Sequence, residues 1–152
     1  MGSNLTGEVV AGGQLTINIT GKVIKGDGYG KTLGFPTANL DRREYKRKKL
    51  KIKQGVWAGQ VELRVSARGG SASGGKSRKL KVFRAGIVLG PLDSKRLPKI
   101  EAHLVGFKGN LYGKKITITL KKYLRPFKKF RNKTELQQQI KADINKIIKL
   151  PW

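Results

Sequence analysis

Apolar and polar residues alternate along most of this chain. Leu15-Thr16-Ile17-Asn18-Ile19-Thr20 has period two, and Val23-Ile24 follows a glycine. Residues 56–65 alternate through Val61, Leu63 and Val65. Leu80-Lys81-Val82-Phe83 leads into the apolar run Ile87-Val88-Leu89, and Ile100 to Val105 and Ile116 to Leu120 complete the set. A repeat of two places alternate side chains on one face of a strand. Together with β-branched residues and Gly/Pro punctuation, it predicts an antiparallel sheet or barrel.

The period changes near the end of the chain. Leu136, Ile140, Ile144, Ile147 and Ile148 recur at steps of three and four, which marks one face of a helix. Thr134 stands at the expected N-cap with Gln137 three residues later, a capping-box pattern. Glu135 near the start and Lys146 and Lys149 near the end suit the helix dipole, and Pro151 stops the helix. Three stretches break the periodicity. Residues 1–13 read as a flexible N-terminal segment. Ser66 to Lys79 is Gly/Ser-rich and reads as a flexible loop between two strands. Arg42 to Lys53 is densely basic around Tyr45, and reads as a solvated insertion or as a surface for a polyanion.

Composition narrows the function classes. A chain of 152 residues fits one domain spanning 1–152. There is no cysteine, which excludes disulfides and thiolate metal sites. One histidine, His103, excludes a multi-histidine metal centre within the chain. No apolar run reaches the length of a membrane-spanning helix and no signal-peptide pattern opens the chain, so a soluble, cytoplasmic monomer is expected. Lys and Arg number 34 against 9 acids, a net charge of +25. That excess suits phosphate-bearing partners, nucleic acid included, through non-specific contacts. It also suits a nucleotide-binding enzyme, although one bound ATP cannot require so much.

The candidate chemistry starts in residues 26–39, Gly-Asp-Gly-Tyr-Gly-Lys-Thr-Leu-Gly-Phe-Pro-Thr-Ala-Asn. Alternating glycines let the backbone turn tightly and expose N–H groups to phosphate oxygens. Lys31 adds a charge there. Thr37 and Asn39 lie two apart, so on an extended strand their oxygens share a face. Such neutral oxygens serve Mg²⁺ when substrate phosphates supply the negative charge. The same residues also suit an ordinary glycine-rich hairpin with a proline turn.

Residues 21–40, Gly-Lys-Val-Ile-Lys-Gly-Asp-Gly-Tyr-Gly-Lys-Thr-Leu-Gly-Phe-Pro-Thr-Ala-Asn-Leu, resemble the opening signature of the riboflavin kinases of bacteria and eukaryotes. Gly55-Val56-Trp57-Ala58-Gly59 resembles that family's next strand. Ile100-Glu101-Ala102-His103-Leu104, then Phe107 and Leu111-Tyr112-Gly113, resembles its catalytic strand and turn. Tyr123-Leu124-Arg125-Pro126, Phe130, Leu136, Gln139-Ile140 and Asp143 resemble its C-terminal segment. The resemblance is to the kinase module of bifunctional riboflavin kinase/FAD synthetases. It implies an all-β fold, a six-stranded antiparallel Greek-key barrel with a C-terminal helix. It implies transfer of the γ-phosphate of ATP to the riboflavin 5′-hydroxyl, giving FMN and ADP.

The resemblance also implies roles. Gly26, Gly28, Gly30 and Lys31 fall at the ATP phosphates, and Leu104, Gly106 and Tyr112 at the nucleotide pocket. Thr37 and Asn39 fall at Mg²⁺, with Zn²⁺ or Mn²⁺ as substitutes. Glu101 falls at the general base, and Arg125 and Phe130 at the flavin. An alcohol nucleophile needs such a positioned carboxylate. His103 shares the face of Glu101 and reads as a structural hydrogen-bonding residue, and Trp57 as core or pocket wall.

Some positions depart from the family's pattern. Gly106 and Asn110 stand where bacterial members commonly carry Asp, and Phe127 where they carry Glu. These departures keep a catalytically weakened flavin binder in view, beside a basic RNA-binding barrel. The nucleotidyl-transfer signature of FAD synthetases is absent, so a complete chain of this kind stops at FMN. Residues 70–77, Gly-Ser-Ala-Ser-Gly-Gly-Lys-Ser, fit the P-loop spacing. A P-loop needs a buried strand before it and a helix after it. Here the following residues read as strand, so the pattern is rejected.

Overall fold

The computed structural model describes residues 8–9, 15–26, 28–66 and 78–152. Its strands are β1 (Glu8–Val9), β2 (Leu15–Ile24), β3 (Ala38–Leu40), β4 (Gly55–Ser66), β5 (Arg78–Leu92), β6 (Pro98–Leu104) and β7 (Lys115–Arg125). Three helices accompany them: α1 (Tyr29–Thr32), α2 (Arg43–Arg47) and α3 (Lys133–Ile148).

Strict alternation explains the barrel. Along β6 every second residue is buried, from Pro98 through Ile100 and Ala102 to Leu104. Ile116, Ile118 and Leu120 of β7 do the same. Such strands carry one apolar face each and must close on one another. The order is β2-β3-β6-β5-β4-β7, and β7 pairs with β2 again, so the antiparallel ring is complete. The run β4-β5-β6, with β7 returning beside β4, is the Greek key. This is the expected closed barrel with a C-terminal helix. Ile19, Ile87, Leu89 and Ile118 fill its centre with no exposed surface. Each such burial contributes about 1.5–3 kcal/mol.

Several local features differ from the sequence reading. The two apolar runs at 80–83 and 87–89 belong to one long strand, β5. β3 is too short to show a period, and it pairs with β2 only through Val23 and Ile24. The next segment continues the cover of β2. The Asp41 N–H donates to Lys22 O at 2.9 Å, and the Thr20 N–H donates to the Glu44 carboxylate. The basic stretch 42–53 therefore holds a short helix, and its Tyr45, Leu50 and Ile52 enter the core. The Tyr45 hydroxyl accepts from Ile52 N–H at 3.1 Å, and burial pushes its pKa above the ordinary 10.0.

The cap of α3 sits earlier than expected. Asn132, not Thr134, is the N-cap: its backbone is extended and its side chain accepts from Glu135 N–H at 2.9 Å. The Glu135 carboxylate accepts from Arg131 N–H at 3.1 Å. Asn and Glu three apart make this pair as well as Thr and Gln, and the extended residue decides between them. β1 pairs with β2 inside the N-terminal segment expected to be flexible. The rest of 1–13, Asp27 and residues 67–77, with the rejected P-loop pattern, lie outside the described residues. Among the described residues no helix is long and apolar enough to cross a membrane.

Candidate functional site

One row of residues crosses five strands on the outside of the barrel. Asn39 of β3 lies opposite Glu101 of β6, Glu101 opposite Val88 of β5, Val88 opposite Val56 of β4, and Val56 opposite Arg125 of β7. Directly opposed residues in antiparallel strands project to the same face. The barrel thus aligns three polar residues that the sequence separates widely.

α3 stands over this row and makes it a cavity of about 500 Å³. Leu136, Ile140, Ile144 and Ile147 form the helix wall, and Val56, Val88, Glu101, Thr37 and Phe130 are among the residues facing it. Ile147 is fully buried, but Leu136, Ile140 and Ile144 are only half-buried, because their face looks into the cavity. Two clamps hold the helix. Arg125 donates to both Asp143 carboxylate oxygens at 2.8–3.2 Å, and Gln139 Nε2 donates to Asp143 Oδ1 at 3.0 Å. Arg84 Nη1 donates to the carbonyls of Ile147 and Leu150 at 2.8 and 2.9 Å.

A second cavity of about 420 Å³ adjoins the first, and Lys99 and Pro91 face both. Gly26, Asn39, Arg42 and Asp93 line it. Hydrogen bonds from the Leu97 N–H, Arg42 and the Lys95 N–H hold the Asp93 carboxyl below the usual carboxylate range. At the seam, Lys99 Nζ pairs with Glu101 Oε1 at 2.6 Å and fixes the carboxylate between the cavities. Gly26 is required by close approach: a Cβ there would lie 2.0 Å from Asn39 Nδ2. The asparagine side chain therefore rests against the glycine-rich backbone. His103 Nδ1 is 2.8 Å from Pro36 O and its ring meets Phe35 edge-on, which ties β6 to the residue before Thr37.

The structure separates the other sequence-derived candidates. Gly30 and Thr37 face the larger cavity with Glu101. Gly28 caps α1 at φ 73°, and Lys31 is exposed on α1; neither lines a cavity. The Leu104 side chain is in the core, opposite in direction to Glu101. Gly106 and Tyr112 are exposed in the β6–β7 connection, which bonds to β2 through Gly113 N–H to Val23 O at 2.9 Å. Arg125 faces the larger cavity with its guanidinium already held by Asp143 and 5.9 Å from the Phe130 ring centre. Trp57 packs on the core and on Tyr123 and lines neither cavity.

The departures gain local explanations. Asn110 Oδ1 accepts from Tyr112 N–H at 2.9 Å and shapes the turn. Phe127 lies against Gly90, where a Cβ would come within 2.8 Å of its ring. Sequence reasoning missed Lys99, although its alternation with Glu101 was visible. The α3 stripe marked one face of a helix without showing that this face walls a cavity.

Among the described residues no cluster of three or more His, Asp or Glu could hold a metal. Thr37 lines the larger cavity and Asn39 the smaller, and their neutral oxygens are a donor type that suits Mg²⁺ when substrate phosphates supply the charge.

The family model described as Flavokinase: Riboflavin kinase matches residues 5–150. The chain is 32% identical over 127 residues to the bifunctional riboflavin kinase/FMN adenylyltransferase of Buchnera aphidicola subsp. Schizaphis graminum, covering 84% of this chain and 36% of that protein. It is 31% identical to the enzyme of the same name from Escherichia coli K12, covering 82% and 35%. The chain thus spans about a third of the length of these relatives. Two solved structures share the fold. A riboflavin kinase from Trypanosoma brucei superposes with TM-score 0.65 at 20% identity, covering 88% of this chain and 78% of that one. A protein described as a macrolide-efflux protein from Streptococcus pneumoniae superposes at 0.67 with 24% identity, covering 91% and 40%. With the matched barrel, the row through Glu101 and a family match over nearly all its residues, this chain belongs to the riboflavin kinase family.

Proposed function

We propose that this chain phosphorylates riboflavin at its 5′-hydroxyl with ATP as donor, giving FMN and ADP. The observation that carries the proposal is the Asn39–Glu101 pair, set between an apolar cavity and a smaller cation-lined one. A flat tricyclic ring suits the larger cavity, walled by Leu136, Ile140 and Ile144. The ribityl chain then ends near Glu101. Arg125 acts there mainly as the clamp on Asp143, and Phe130 offers the ring an aromatic edge.

The chemistry follows from the donors present. The Glu101 carboxylate accepts the proton of the 5′-hydroxyl as its oxygen forms the new bond to the γ-phosphorus. The bridge to the β-phosphate breaks and ADP leaves. Lys99 holds the carboxylate in place. Gly26, Gly28 and Gly30 offer backbone N–H groups to the triphosphate, and Lys31, exposed on α1, adds a positive charge. Leu104 contributes to the nucleotide side only through its main chain, and Gly106 and Tyr112 flank it. Mg²⁺ would be held by Thr37 and Asn39 and would neutralise phosphate charge.

Chromatographic detection of FMN from riboflavin, ATP and Mg²⁺ tests the reaction. Wild-type chain forms FMN, and Glu101→Ala lowers kcat by about 10²–10⁴-fold. Absence of FMN with the wild type overturns the reaction. Undiminished turnover in Glu101→Ala overturns only the assignment of the base.

A further inference from the structure

One ATP does not explain a net charge of +25, and the structure shows where much of the excess is organised. Residues 41–53 carry eight Lys and Arg against two acids. Both acids are turned inward by local bonds. Glu44, 18% exposed, accepts from the Thr20 N–H and pairs with Lys48 at 2.7 Å. Asp41, 23% exposed, accepts from the Arg43 N–H at 2.8 Å. Arg43 and Arg47 lie 3.5 Å from Asp41 and 3.8 Å from Glu44, yet they stay 94% and 72% exposed, so their charge remains open to solvent. All three apolar anchors of the segment, Tyr45, Leu50 and Ile52, are in the core. Every exposed side chain from 41 to 53 is Lys or Arg.

A second observation lies beside it on β2. Lys22, whose carbonyl accepts the Asp41 N–H, is directly opposite Lys115 of β7, and both are exposed. Like charges directly opposed across strands destabilise a sheet. The barrel tolerates this repulsion next to the basic segment, where a bound polyanion would relieve it.

We propose that α2, the residues that follow it and the Lys22/Lys115 pair form a surface for the phosphate backbone of nucleic acid. The absence of any exposed apolar residue in the segment disfavours an anionic membrane, whose peripheral helices insert an apolar face. With Tyr45 buried, no aromatic ring of the segment is offered for base stacking. Binding is therefore sequence-indifferent and carried by phosphate contacts. Arg43, Lys46, Arg47 and Lys51 line neither cavity, so the surface is separate from the Glu101 site.

Fluorescence anisotropy with a labelled RNA duplex, titrated across salt, tests this. One variant replaces Arg43, Lys46, Arg47 and Lys51 by Gln. A charge-matched control replaces Lys133, Lys141, Lys146 and Lys149 of the α3 region by Gln. The surface variant loses at least about tenfold in affinity at low salt, and its log–log salt slope shrinks by about three to four. The control loses much less. If the surface variant fails to show a native melting transition, the Arg43→Gln/Arg47→Gln pair replaces it, since both side chains project into solvent. Equal weakening by surface and control variants overturns the proposal, because net charge alone then explains binding. So does salt-insensitive or absent binding by the wild type. Capture by phosphatidylserine vesicles that RNA cannot compete away overturns it in favour of a membrane.

Discussion

Gly26 and Asn39 show how tightly single residues are matched at this site. The asparagine is held on β3 opposite Glu101, and its amide lies where a β-carbon on residue 26 would be. Gly26→Ala must push Asn39 aside or shift the turn. Because Gly26 is exposed and outside the core, the expected result is a loss of turnover of about tenfold or more with a melting temperature nearly unchanged. Steady-state FMN formation beside a thermal melt checks it. Glu101 itself was legible from its place in the motif order. Lys99 was not, since a lysine two residues before a glutamate is ordinary in any exposed strand face.

α3 is the element on which the cavity depends, and its start rests on one side chain. Asn132 caps the Glu135 N–H from an extended backbone, while Thr134 already lies within the helix. Asn132→Ala is therefore expected to cost about 1 kcal/mol, whereas Thr134→Ala is expected to be neutral or to stabilise by a few tenths, since Ala favours a helix interior over Thr. Chemical denaturation of the two variants in parallel separates them. The helical stripe was readable as a period. Its purpose was not, because a stripe against a core and a stripe over a cavity have the same spacing. The difference lies in the clamps by Arg84 and Arg125, from β5 and β7, which hold the helix beside the sheet instead of letting it collapse onto Glu101.

At the scale of the whole molecule, closure of the ring decides which residues meet. The β2–β7 pairing from Ile17 to Lys22 completes the barrel, and Ile118 sits at its centre with no exposed surface. Ile118→Ala leaves a cavity in the buried core beside Ile19 and Val61 and is expected to destabilise by about 2–5 kcal/mol. A urea melt measures it. The basic segment also belongs to this scale. It looks like an insertion in sequence, yet it finishes the barrel wall where β3 is too short.

The chain's own pattern determined the class of its elements and much of its identity. Period-two runs specify strands, the three-and-four step specifies a helix, and the ordered motifs from Gly26 to Asp143 specify the family. These are local properties, written in residues a few places apart. Tertiary structure alone decided that Asn39, Glu101, Val88, Val56 and Arg125 form one row, that Arg125 is spent on Asp143, and that the acids among the basic residues face inward. Those facts depend on strand register and on which groups lose water together. Neither is fixed by spacing along the chain, because pairing joins positions far apart in sequence, such as Val56 with Arg125 and Ile17 with Leu120.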